Sequence, residues 1–203
     1  VVVDETADIE KAASDTLEGG GFDNNILCIG EKEVFIVQSV ANEFLRELER
    51  GGSVLLDRGQ IDALTREAFT TNASRDWAIN RELVGRNARV LAERIGLSVS
   101  DDVLMLSGEV DVNHPFVQRE QMMPFLPVVR VPDVNVAIDE AIKAERGNRH
   151  TAVMHSKNVE SMTVMARKCR CTLFVKNGPS VAGLGAGGEG YTSFSIATPT
   201  GEG

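Results

Sequence analysis

Little in this chain of 203 residues can staple it. There are three cysteines, an odd number, and two of them form Cys169-Arg170-Cys171. That usage gives no disulfide framework and suits a reducing cytoplasm. A Cys-x-Cys pair without other clustered ligands is also a poor metal site, so no metal is expected and Cys169 and Cys171 read as structural. Positive charge is short as well: 21 Lys and Arg stand against 30 Asp and Glu, a net charge of −9 with a pI near 4.9. This argues against nucleic acid and anionic membrane as partners. An anionic cofactor held by local dipoles and donors stays compatible with it. No apolar run approaches the roughly 20 residues of a membrane span, and no signal-peptide pattern opens the chain. Internal repeats and low-complexity linkers are missing too, so one domain is expected. No Ser-His-Asp constellation, phosphate-binding loop or zinc pattern is found.

What is present is ordinary for a globular protein: 42% apolar and 25% charged residues, enough for one good core. Val1 to Val3 reads as a short strand. Asp8 caps a helix to Leu17, with Ile9, Ala12, Ala13 and Leu17 at helical spacing, and Gly19-Gly20-Gly21 interrupts that period. Val34 to Val37 is a strand. Ser39 opens a helix to about Glu49, with Val40, Phe44, Leu45 and Leu48 on one face and Gly51-Gly52 at its end. Asp57 with Gln60 forms a capping-box pattern for a helix through Phe69. Thr70 to Ser74 reads as a loop, Trp77 as packing, Arg86 to Ile95 as a helix stopped by Gly96, and Val103 to Leu106 as a strand. The alternation then becomes regular: strand Leu126 to Val131, helix Asp133 to Arg146, strand Thr151 to His155, helix Asn158 to Lys168, strand Thr172 to Val175. Short connections between alternating strands and helices predict an α/β fold, a parallel sheet covered on both faces. Tyr191 to Thr198 alternates and reads as an edge strand or part of an oligomerising flap.

The organising stretch is Phe22-Asp23-Asn24-Asn25-Ile26-Leu27-Cys28, a polar turn between the first helix and the strand at Val34. A cysteine there is held by backbone on both sides, as a nucleophile needs. A free cysteine is also commonly a small buried hydrophobe. Free thiols ionise near pH 8.5, and acidic Asp23 and Glu31 flank this one, so activation would have to come from backbone dipoles or from elsewhere in the fold. Glu120, before the proline-bracketed run to Pro127, reads on its own as a solvated charge. His114 and His150 are candidates for deprotonating an incoming thiol near neutral pH, and His150 is expected near the carboxyl edge of the sheet. His155 ends a strand with no evident partner. Gly185-Ala186-Gly187-Gly188-Glu189-Gly190 formally matches a dinucleotide fingerprint. That motif needs a strand before it and a helix after it, and Tyr191-Thr192-Ser193-Phe194 reads as strand, so the reading is rejected.

Phe22-x-Asn24-x-x-x-Cys28, followed by Glu31-Lys32-Glu33-Val34, resembles the nucleophile signature of the aldehyde dehydrogenase superfamily. Within it, the run is most similar to the CoA-acylating branch, the propionaldehyde and acetaldehyde dehydrogenases of bacterial microcompartments. Glu120-Gln121-Met122-Met123-Pro124-Phe125-Leu126-Pro127-Val128 is a second marker, and the resemblance covers nearly the whole chain. It implies the parallel-sheet catalytic domain of the aldehyde dehydrogenase-like fold over residues 1–203. The N-terminal NAD-binding domain and a C-terminal oligomerisation strand would be missing, together with a side-chain amide that helps bind the oxyanion. Val1-Val2-Val3 and the unclosed turn Gly201-Glu202-Gly203 likewise suggest a fragment. By the same resemblance Cys28 is the nucleophile, Glu120 binds the nicotinamide ribose hydroxyls and Met122 replaces an aromatic beside that ribose. Gly183 to Gly190 would line the active-site entrance. The implied cofactors are NAD and coenzyme A as acyl acceptor. The implied partners are a short aldehyde (propionaldehyde or acetaldehyde), further copies in a homo-oligomer and a microcompartment shell, in the cytoplasm or a microcompartment lumen. Two alternatives stand beside it: the aldehyde dehydrogenase half of a bifunctional aldehyde–alcohol dehydrogenase, and a non-catalytic assembly subunit of the same fold.

Overall fold

A computed structural model describes residues 1–71 and 77–187. In chain order, β1 is Val2–Val3, α1 Ile9–Gly21, β2 Val34–Val37, α2 Gln38–Arg50, β3 Ser53–Leu55 and α3 Arg58–Ala68. Then come β4 Phe69–Thr71, β5 Trp77–Ile79, α4 Ala88–Arg94, β6 Met105–Glu109, α5 Pro115–Gln118 and β7 Phe125–Val131. The described chain closes with α6 Val134–Glu145, β8 Thr151–His155, α7 Val159–Cys169, β9 Leu173–Lys176 and a 3-10 turn Ser180–Leu184.

Among the described residues seven strands form one sheet in the order β3-β6-β7-β2-β1-β8-β9, and every pairing in it is parallel. A parallel sheet must be covered on both faces, and the alternation within β2 and β7 provides for this. Val34, Ile36, Leu126 and Val128 face α1 and α2, while Phe35, Val129 and Val131 face α6 and α7. A third cluster packs α3, α4 and the Phe69, Phe116 and Phe125 rings over the β6 side. The expected α/β architecture with its parallel sheet is the one observed.

Local signals set most boundaries. Asp8, Asp57, Asp133 and Asn158 each accept backbone N–H groups at a helix start, and Asp57 with Gln60 completes the capping box. Gly96 at φ 75° and Gly147 at φ 81° follow helix ends, a conformation glycine adopts without a Cβ penalty.

The glycine run behaves differently from its sequence reading. Gly19, Gly20 and Gly21 do not interrupt α1 but form its last turn. Close approach is the reason: a Cβ on Gly19 would collide with the Glu31 carboxylate, and one on Gly20 would lie 2.7 Å from Met105 Cε. Four short elements are also additions to the expected list: β3, the antiparallel hairpin β4–β5 and α5. Thr70 and Thr71, expected in a loop, belong to that hairpin, where Trp77 packs edge-on to Phe69. Residues 72–74 of that loop and the segment Tyr191 to Thr198 lie outside the described residues.

Candidate active site

Directly after α1, Asp23, Asn24 and Asn25 adopt left-handed conformations in succession, at φ 48°, 55° and 62°. Left-handed backbone costs most L-residues roughly 1–2 kcal/mol each, and Asn and Asp tolerate it best because their short polar side chains bond locally. Asn24 Nδ2 donates to the Gly85 carbonyl at 3.1 Å and to Asn87 Oδ1 at 2.9 Å. Asn25, buried, donates to the Glu31 carbonyl at 2.9 Å, tying the start of the loop to its end. Between them the Gly30 N–H donates to the Leu27 carbonyl at 3.0 Å, so Cys28 and Ile29 are the two central residues of a tight turn. Ile29 is buried against Val181 and Leu184, while Cys28 is exposed. One residue anchors the turn and the next presents its thiol.

Glu31 is the anchor that sequence reasoning passed over as a flanking charge. It is 2% exposed, and its carboxylate accepts from both the backbone N–H and the hydroxyl of Ser180, each at 2.7 Å. Burial pushes its carboxyl up to about 7, against the opposing pull of the Ser180 bonds. Because Ser180 lies 149 residues away, no local pattern exposes the pair.

Cys28 opens onto a pocket of about 160 Å³ whose lining includes Glu120, Glu145, His150, Lys32 and Cys169. Val1, Glu33 and Thr151 also line it, so it sits over the amino ends of the neighbouring strands β1, β2 and β8. His150 is therefore at the amino edge of the sheet and not, as expected, at the carboxyl edge. In a parallel sheet a helix-to-strand connection delivers its residues to the edge where strands begin, and His150 immediately precedes β8.

Glu145 shapes this corner. Its two oxygens accept the His150 N–H at 3.2 Å and the Gly147 N–H at 2.9 Å, bracing the turn that carries the histidine. Burial raises its carboxyl above the usual range in spite of those bonds. His150 Nδ1 lies 2.7 Å from the Thr151 hydroxyl, and Nε2 has no hydrogen-bond partner among the described residues. Glu120 is exposed, and its carboxylate likewise has no hydrogen-bond or ion-pair partner among them.

Other candidates lie elsewhere. Met122 is absent from the pocket lining; at φ 48° it offers its carbonyl to the Gly85 N–H at 2.9 Å. Residues 183–187 are absent from that lining too, although Leu184 among them, with Val181, packs behind the Cys28 turn on Ile29, and Ser180 holds Glu31; Gly188 to Gly190 are outside the described residues. A 3-10 turn, not a strand, precedes Gly185, in keeping with rejection of the dinucleotide fingerprint. His114 caps α5 beside Thr65, and desolvation lowers its pKa. His155 is buried with Nδ1 3.7 Å from Asp15, and burial pushes it down to about 4.

The chain superimposes over its whole length on 45% of an engineered glycolyl-CoA reductase with bound NADP+, at TM-score 0.93 and 48% identity. It does the same on 45% of the Rhodopseudomonas palustris propionaldehyde dehydrogenase with bound CoA and an acylated cysteine, at TM-score 0.92 and 47% identity. A propionaldehyde dehydrogenase from the Clostridium phytofermentans fucose utilisation microcompartment matches at TM-score 0.92 and 40% identity, with all of this chain and 46% of that one covered.

In sequence, the whole chain is a homologue of CoA-acylating aldehyde dehydrogenases. It is 47% identical to the acetylating acetaldehyde dehydrogenase EutE of Salmonella typhimurium and 43% identical to the CoA-propanoylating propanal dehydrogenase of the same organism. It spans 44% and 43% of those two relatives. No family model matches the chain.

Proposed function

We propose that this chain is the nucleophile-bearing part of an enzyme that oxidises a short aldehyde, acetaldehyde or propanal, to its acyl-CoA. The observation that carries this reading is that Glu120 and His150, both far along the chain from Cys28, line one pocket with it.

In this reading the Cys28 sulfur adds to the aldehyde carbon and forms a thiohemiacetal. The Cys28 backbone N–H has no acceptor among the described residues and is available to the developing oxyanion. Loss of one such donor costs roughly 3 kcal/mol in studied enzymes. Glu120 fits a nicotinamide cofactor, since an unpartnered carboxylate on the pocket rim can accept two ribose hydroxyls. When bound, such a cofactor would supply the hydride acceptor needed to bring the thiohemiacetal on Cys28 to the thioester level. His150 is held through its backbone and Nδ1, which leaves Nε2 to take the proton of the CoA thiol as that sulfur displaces Cys28. Covalent capture thereby divides one difficult oxidation into two easier steps.

A complete protein containing this segment should form NADH from propanal only with Cys28 intact. Cys28→Ala is expected to reduce acyl-CoA formation at least ~10³-fold, consistent with loss of a covalent nucleophile. Turnover within tenfold of wild type would move the nucleophile elsewhere. Assembly into a homo-oligomer, and association with a microcompartment shell, are proposed on the same kinship.

A further inference from the structure

The chemistry above leaves Cys169 and Cys171 unused, and their sequence spacing suggests packing only. Residues two apart on a helix face away from each other. Here Cys169 ends α7, and Arg170 turns left-handed at φ 49°, folding the chain so that the two sulfurs lie 3.4 Å apart. A disulfide requires about 2.05 Å, so closure takes a sulfur movement of only ~1.3 Å. Cys169 is buried, with 5% of its surface exposed, and it lines the Cys28 pocket, which is the path by which a small peroxide would reach its sulfur. Cys171 is half-buried, and its sulfur lies 2.9 Å from the Leu173 carbonyl and 3.4 Å from the Cys169 sulfur, so its one S–H can serve either acceptor.

We infer that Cys169 and Cys171 form a reversible dithiol–disulfide site in the wall of the Cys28 pocket, oxidised by hydroperoxides and restored by small thiols. The two sulfurs divide the labour. Contact with Cys171 lowers the Cys169 thiol, while that contact and burial push Cys171 up. Cys169 is thus the readier thiolate of the two and Cys171 keeps its proton, an attacking and a resolving thiol 3.4 Å apart.

The Cys169 thiolate attacks one peroxide oxygen, the O–O bond breaks, and the departing hydroxide takes up a proton to become water. Cys171 then attacks the sulfur of the resulting sulfenic acid. An S–S bond forms, the S–O bond breaks, and the hydroxyl leaves as a second water with the Cys171 proton. Two electrons pass from the thiol pair to the peroxide. In the reverse direction two molecules of a small thiol take the disulfide back to two thiols and leave as their own disulfide.

The test treats the complete protein with hydrogen peroxide, blocks free thiols with iodoacetamide in denaturant and weighs the peptide holding both cysteines. It should lose two hydrogens, take no alkyl group, and regain both alkylation sites after dithiothreitol. In Cys171→Ser the disulfide should vanish, and Cys169 should be trapped by dimedone as sulfenic acid. In Cys28→Ser the yield of the Cys169–Cys171 bond should be unchanged. Full alkylation of both cysteines at a peroxide dose that oxidises Cys28 would overturn the inference. So would recovery of Cys169 joined to Cys28, a Cys171→Ser variant whose Cys169 gives no dimedone adduct, or loss of the bond in Cys28→Ser.

Discussion

At the scale of single residues, the Cys28 turn depends on contacts made to it from far along the chain. Gly19 leaves room for the Glu31 carboxylate, and Ser180 fixes that carboxylate so that it cannot move aside. Gly19→Ala therefore forces overpacking at a held group, with an expected loss of about 1–3 kcal/mol in denaturant unfolding. A loss below ~0.5 kcal/mol would mean that Glu31 yields freely. The turn that carries Cys28 was legible, because polar Asp23, Asn24 and Asn25 separate the helical period of α1 from the apolar run of β2. Glu31 was visible only as a charge, since its buried partner is fixed by folding and not by spacing. The Cys169–Cys171 contact was hidden for a different reason: it rests on one left-handed residue, Arg170, that is neither Gly nor Asn.

At the scale of elements, caps are where sequence and structure agree most closely. Asp133 accepts from the N–H groups of Asn135 and Val136, at 2.9 and 3.0 Å, and starts the helix that forms one wall of the pocket. Asp133→Ala is expected to lower stability by about 1 kcal/mol and Asp133→Ser by much less, measured as shifts in unfolding midpoint. Equal losses would show that the carboxylate acts other than as a cap. These signals were legible because a cap and its recipients lie within three residues of each other. β3, β4, β5 and α5 span only three or four residues each, too short to establish a period. The glycines of α1 misled because propensity favours a break there, while packing against Glu31 and Met105 requires the missing side chains.

At the scale of the whole molecule, strand order follows from long-range pairing: alternation predicts parallel neighbours but not that β2, β1 and β8 stand side by side. That adjacency gathers Cys28 and His150 at one edge. Two buried groups also give the folded state opposing pH dependences. His155, ordinarily near 6.5, is held at about 4; its contribution is complete above about 6.5 and is lost as pH falls through 4. Glu31, ordinarily near 4.5, is held at about 7; its contribution is complete below 4.5 and is lost as pH rises through 7. Each shift corresponds to roughly 3 kcal/mol at about 1.4 kcal/mol per pH unit, so the two largely offset between pH 4.5 and 6.5. Glu31→Gln removes one side of that balance. Relative to wild type, the variant should lose stability on acidification from pH 7 to 4.5, by up to ~3 kcal/mol in denaturant melts. An identical difference between the two proteins at both pH values would contradict the assignment.

The most direct measurement of the central claim is a trapping experiment on the complete protein, incubated with propanal and NAD but without CoA and then mapped by peptide mass. A propionyl group on Cys28, discharged when CoA is added, is the expected result. An unmodified Cys28, or an acyl group carried instead by Cys169 or Cys171, would contradict it.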